Sequence, residues 1–118
     1  MSRRLFVLAA LATLTLAGHA SAGCALDVDE LEDLVGYKIE AVKTVSGWID
    51  EDDGKVGNED DWEGCRYKRR IIFDDGTSLV CSSYRYSSAW GEQEAVIFVR
   101  HSSRKVCIDD EVMDVRNW

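Results

Sequence analysis

The chain has 118 residues with 22 acids and 14 bases. Two of the bases, Arg3 and Arg4, precede every acid, so residues 23–118 carry 12 bases against 22 acids, a net charge of −10. That balance argues against a nucleic-acid partner, because phosphate binding needs a basic stripe, and the nearest candidate, Arg66-Tyr67-Lys68-Arg69-Arg70, is flanked by Asp60-Asp61 and Asp74-Asp75. The run reads instead as a solvated strand face with ion-pair partners close by, and the surplus of carboxylates favours solubility and a basic partner.

Residues 1–22 have the layout of a secretory signal peptide: Arg3-Arg4, an apolar run over 5–16, and small residues at Ala20 and Ala22 that predict cleavage after Ala22. The apolar run is shorter than the ~18 to 20 residues of a membrane span, and no later segment approaches that length, so no transmembrane segment is expected. Ser2-Arg3-Arg4-Leu5-Phe6-Val7 resembles the twin-arginine export pattern, although a strongly apolar run behind a short basic stretch suits the general secretory route better. Ser21-Ala22-Gly23-Cys24 resembles a bacterial lipobox but has Ser21 where that pattern wants an aliphatic residue. Ordinary cleavage leaves Cys24, Cys65, Cys81 and Cys107 as an even set for two disulfides, so the expectation is a periplasmic or secreted protein without a lipid anchor at Cys24.

The remaining 23–118 stretch reads as one compact unit, free of proline and of linker composition. A domain of this size buries roughly 60 to 65% of its unfolded surface, so two bridges worth ~2 to 4 kcal/mol each matter to it. Residues 27–36 begin with a capping Asp27 and a Glu three positions on, place apolar residues at 28, 31, 34 and 35, and end in Gly36, which predicts a two-turn helix. From Tyr37 the period becomes two, with Ile39, Ala41 and Val45 on one face of a strand that ends in an acidic loop after Trp48. Residues 71–80 carry Asp75-Gly76 between β-rich runs and predict a hairpin with a primed turn. Residues 95–99 are continuously apolar, as in a central strand covered on both faces, and 105–108 with 112–115 predict a second hairpin through Asp109-Asp110-Glu111.

The fold class expected is mainly β with one short N-terminal helix: a small antiparallel rolled sheet or SH3-like/OB-like open barrel of five to six strands, disulfide-stabilised, the comparison being architectural only. If Asp74 faces Thr77 in the first hairpin, Arg70 faces Cys81 and Cys65 lies ~16 Å farther along a regular strand. Cys65 then reaches Cys81 only if the chain folds back near Gly64, and pairings with Cys24 or Cys107 stay open.

The carboxylates of residues 50–61 are hard oxygen ligands of the kind that suits calcium, with Asp50, Asp52, Asp53 and Asp60 as candidates. The spacing does not fit an EF-hand, since placing Gly54 at the glycine position puts Ile49 at the first ligand position. A solvated loop that blunts a strand end is the simpler reading. His101, the one histidine beyond the leader, sits in a polar turn, there is no Gly-x-Ser-x-Gly elbow, and the cysteines lack Cys-x-x-Cys spacing, so no cofactor is expected. With 22 acids, proximity of two carboxylates is not by itself a sign of glycosidase-type chemistry.

The aromatic stretch Tyr84-Arg85-Tyr86-Ser87-Ser88-Ala89-Trp90-Gly91 is the best candidate for a binding surface, with Tyr84 and Tyr86 on one strand face, Trp90 in the following loop, and Trp48 and Trp62 able to extend it. The function expected is a non-enzymatic exported module that recognises a protein in the cell envelope. The alternatives are an inhibitor of a basic exported hydrolase such as a lysozyme, a small carboxylate-dependent hydrolase, and a calcium-stabilised structural protein.

Overall fold

A computed structural model describes residues 24–117. The leader and its cleavage site lie outside the described residues. The chain runs through α1 (Val28–Glu32), β1 (Lys38–Asp50), β2 (Val56–Asn58), β3 (Gly64–Cys65), β4 (Arg69–Phe73), β5 (Ser78–Cys81), β6 (Arg85–Tyr86), β7 (Glu94–Arg100), β8 (Ser103–Ile108) and β9 (Glu111–Asn117). Six strands in the order β1-β4-β5-β9-β8-β7 form an antiparallel barrel that closes where β7 pairs with β1, and β2 adds a seventh strand at β1. The class is the one the sequence predicts, with the sheet closed.

Closure depends on the 13-residue β1. Its first half, from Lys38 to Thr44, pairs with β7, and its second half, from Val45 to Asp50, pairs with β4. Register shifts between Ile39 and Ala41 and between Val45 and Gly47 bend the strand from one neighbour to the other. The first shift breaks the alternation expected from sequence, so Ile39 faces solvent while Ala41 and Val45 face the core.

Both predicted hairpins form, each with its own turn chemistry. Arg70 pairs with Val80 and Ile72 with Ser78, which leaves Asp74-Asp75-Gly76 as a three-residue loop with Gly76 at φ 88°. This loop is one residue longer than the primed turn expected, so Arg70 faces Val80 and not Cys81. In the second hairpin Ile108 pairs with Glu111, and the two-residue loop Asp109-Asp110 has positive φ at both positions, as a type I′ turn requires. β7 and β8 are joined by His101-Ser102, the turn expected there.

The core gathers Val45, Trp48, Trp62, Ile71, Phe73, Leu79, Ile97, Val106, Ile108 and Met113. On β7 only Ala95 and Ile97 are buried, and Val96, Phe98 and Val99 are half-covered, so the strand is less enclosed than its apolar run implies. The helix has the predicted capping box, with Asp27 accepting from the Glu30 amide and Glu30 from the Asp27 amide, but it is shorter than 27–36 and buries none of its residues. Of its apolar set only Leu34, in the turn that follows, is buried.

Two disulfides complete the fold, Cys24–Cys107 and Cys65–Cys81, with Cα separations of 5.7 and 5.5 Å. Cys65 reaches Cys81 because the chain turns back through residues 66–68, where Lys68 has φ 68° and the Arg69 amide donates to the Arg66 carbonyl. Cys24, the candidate anchor position, is bonded to Cys107 on β8. Among the described residues no helix is long and apolar enough to cross a membrane.

Candidate functional site

Residues 82–93 connect β5 to β7 across the outside of the barrel, and almost every hydrogen bond in this stretch holds the backbone while leaving aromatic rings free. At its root is the Cys65–Cys81 bridge, and β6 pairs with β3 through Gly64 with Tyr86 and Cys65 with Arg85. Gly64 has φ 90°, and a Cβ there would overlap the Arg85 carbonyl oxygen and the Ser87 amide nitrogen, so the close approach of the two strands demands glycine. Arg85 pairs with Glu111 at 2.5 Å, the buried Ser87 donates its hydroxyl to Asp109 at 2.7 Å, and the Ala89 amide donates to the Trp62 carbonyl. The Gln93 side-chain amide donates to the carbonyls of Trp90 and Gly91, fixing the tip.

From this braced segment Tyr84, Tyr86 and Trp90 project with 66%, 80% and 91% of their surface exposed. Tyr84 and Tyr86 line one shallow cleft of about 250 Å³ with Lys55, Glu63 and Arg66. Tyr67 meets Tyr84 edge-on, ring centroids 5.1 Å apart. Sequence reasoning passed over Tyr67 because it lies inside a basic run; the tight turn that exposes it has no glycine or proline to announce it. Trp90 stands apart from that cleft, at the tip of the loop.

Trp48 and Trp62 do not extend this surface: they are 2% and 1% exposed. Trp48 faces inward from β1, donates from Nε1 to the Asp61 carbonyl, and is covered by β2, where a Cβ on Gly57 would overlap its ring. Trp62 lies beneath the aromatic segment as part of its floor.

The acidic loop is solvated at residues 51–56 and 58–61, as the simpler reading expects, and the departure is at Asp50, the last residue of β1. Asp50 is wholly buried, and Arg69, 3% exposed, binds it through two hydrogen bonds of 2.7 and 2.9 Å while stacking its guanidinium 3.7 Å from the Trp48 ring. The Arg66 guanidinium lies 3.2 Å from Asp50, 2.9 Å from Asp52 and 3.6 Å from Asp53. The cation gathered by these carboxylates is therefore an arginine of the chain. Asp60 is exposed, and its amide is held by the Asn58 side chain. Among the described residues no group of three or more His, Cys, Asp or Glu side chains is arranged to hold a metal ion. The basic run has the ion-pair partners expected, Arg66 and Arg70 pairing with residues 50–53, and Tyr67 and Lys68 are exposed, but Arg69 belongs to the core.

The shifted carboxyls all titrate low. Hydrogen bonds from Arg69 hold Asp50 below the usual value, those from Arg104 do the same for Glu40, and the Thr77 hydroxyl and amide, with Lys43, bring Asp75 to about 2. A general acid needs the opposite displacement. Because these groups bind a proton less readily folded than unfolded, the stability they give is complete above the ordinary carboxyl pKa of 3.8 to 4.5 and is lost as pH falls through the folded values. The melting temperature is expected to be level from pH 7 to about 5 and to fall between about pH 4 and 2. Calorimetry across that range checks this, and a level profile down to pH 2 would show that these contacts add nothing.

In comparisons with known proteins, the chain matches no protein family, no curated protein and no solved structure.

Proposed function

We propose that this protein is an exported, disulfide-stabilised recognition module that binds another protein of the cell envelope or extracellular space through residues 84–90. The observation that carries this reading is the exposure of Tyr84, Tyr86 and Trp90 on a backbone braced by a disulfide, a strand pair and side-chain hydrogen bonds. Large rigid aromatics held in place before binding lose little entropy on contact, which is why such residues dominate protein interfaces. The net charge of residues 23–118 favours a basic partner and speeds encounter with it.

The test is capture from the envelope and secreted fractions of the source organism with the oxidised protein as bait, repeated with Trp90→Ala and with Tyr86→Ala. A specific partner lost with either variant supports the reading, and each truncation is expected to weaken binding by about 2 kcal/mol, roughly thirtyfold. Since both rings are solvent-facing, the melting temperature should not move. Capture that survives both substitutions would place recognition elsewhere.

The pinned loop of residues 87–93, with Trp90 at its tip, specifically favours one version of this reading: a plug for the cleft of a basic exported hydrolase such as a lysozyme. Inhibition by the protein that Trp90→Ala abolishes supports it. Asp50 is a structural residue and is unsuitable as a probe of that contact.

A further inference from the structure

The six strands of the barrel converge on a basin of about 350 Å³ at one end of the molecule. Each strand contributes to its wall: Ala41 from β1, Phe73 from β4, Leu79 from β5, Ile97 from β7, Arg104 from β8 and Asn117 from β9. The basin is therefore the mouth of the barrel and not a fold of its outer surface. β8 runs from Arg104 at this mouth to Ile108, next to the Asp109 that binds Ser87, so the mouth lies at the end away from residues 84–90. Its floor is apolar, with Phe73, Leu79 and Ile97 buried in the core and Ala41 half-buried beside them. Two ion pairs stand on its rim. Arg104 meets the Glu40 carboxylate with both prongs of its guanidinium, at 2.8 and 2.7 Å. Lys43 lies 3.1 Å from Asp75 and donates to the Thr77 hydroxyl at 2.7 Å, with the Phe73 ring 5.6 Å away. Both cations are thus matched by the protein itself, whereas the Ser78 hydroxyl and the Asn117 side-chain amide, on the same wall, have no hydrogen-bond partner among the described residues.

We propose that the barrel mouth binds a small uncharged molecule with an apolar body and a hydrogen-bonding head, such as an aliphatic alcohol or amide. The mouths of β-barrels are a recurrent place for sites that combine an apolar lining with a few polar groups. Here the floor takes the body, while Ser78 and Asn117 offer donors and acceptors to the head. A charged head of either sign is disfavoured. It would meet a cation and an anion already matched to each other, and would give up hydration that nothing else in the basin replaces. The volume sits at the small end of the ~300 to 1,000 Å³ that ligand pockets span, which limits the body to one ring or a short acyl chain. This site is separate from the proposed recognition segment and does not depend on it.

The experiment follows amide chemical shifts of the oxidised protein by NMR at neutral pH during titration with octanol and, separately, with octanoate and octylammonium, which keep the chain and change the head. Saturable shifts confined to residues 40–43, 77–79, 97, 104 and 117 are expected with octanol, and at least about tenfold weaker binding with either ion. Ala41→Leu fills the basin and should abolish the octanol response. Ser78→Ala and Asn117→Ala should each weaken it about threefold, and Asn117, being exposed, serves as the test if Ala41→Leu does not fold. An ion that binds as tightly as octanol overturns the uncharged class of ligand. The absence of saturable shifts, shifts centred elsewhere, or an octanol response unaltered in both Ser78→Ala and Asn117→Ala overturns the site. Trp90→Ala should leave the titration unchanged, so a failure here leaves the recognition reading standing, and a failure of partner capture leaves the barrel mouth standing.

Discussion

Asp50→Asn is expected to lower the unfolding free energy by about 3 to 5 kcal/mol, a large part of what a domain of this size possesses. The cost comes from what remains. Arg69 is 3% exposed, and with a neutral amide opposite it the buried guanidinium keeps one side-chain carbonyl, the Gly64 carbonyl, the Trp48 ring and the Glu63 carboxylate 4.0 Å away as partial compensation for the lost charge. Arg69→Met should be nearly as costly, tempered because Arg66 still reaches Asp50. The double variant Asp50→Leu with Arg69→Met is expected to recover most of the loss, since a buried ion pair is replaced more cheaply than it is broken. Urea unfolding at constant m checks this, and a loss below about 1 kcal/mol in Asp50→Asn would show that Arg69 finds water once released.

The second large effect is expected from replacing Cys65 and Cys81 together by alanine. Closing a loop of 16 residues restrains the unfolded chain by about 3 kcal/mol, and that much stability should be lost. Partner binding should fall as well, because the bridge anchors β3 and the start of the aromatic segment, and hydrogen exchange at residues 82–93 should rise more than at β7 or β8. Removing Cys24–Cys107 closes a contrast. Its sequence separation is 83, so the effect on stability is at least as large, yet it ties the N-terminal segment to β8 and should leave Trp90-dependent binding unchanged. Equal loss of binding in both double variants would show that the segment needs global stability and not its local anchor.

Local signals were legible in the sequence and long-range ones were not. The capping box and the two hairpins depend on neighbours within a few residues, and they form where the residues predict them. The error at Asp74-Asp75-Gly76 arose because Asp-Gly serves a two-residue primed turn as readily as the end of a three-residue loop, and the choice moves the register by one. The closure of the barrel and the shifts in β1 are set by what β4 and β7 offer on opposite sides of that strand, information absent from residues 38–50 alone. The ion pair had a signal that charge counting hid. Arg69, Ile71 and Phe73 alternate on one face of β4, as Trp48 and Asp50 do on β1, so two charged residues continued inward-facing rows into the core. Of the proposed binding aromatics, Tyr84, Tyr86 and Trp90 are exposed on one segment, while Trp48 and Trp62 serve the core, a division that composition could not make because both uses call for the same residue types.

The absence of room for any side chain at Gly57 and Gly64 has a consequence for how this architecture tolerates drift. Gly57 must lie flat against Trp48, and Gly64 against the backbone of β6, so neither position can vary while its neighbour stays. Together with Asp50, Arg69 and the four bridged cysteines they make a sparse signature spread over the chain. Tyr84, Tyr86 and Trp90 touch solvent and can change with whatever they meet. The proposed recognition face can therefore change freely in a barrel still traced by Gly57, Gly64 and Gly47, whose Cβ would overlap the Gly57 carbonyl, by one ion pair and by the spacing of its cysteines.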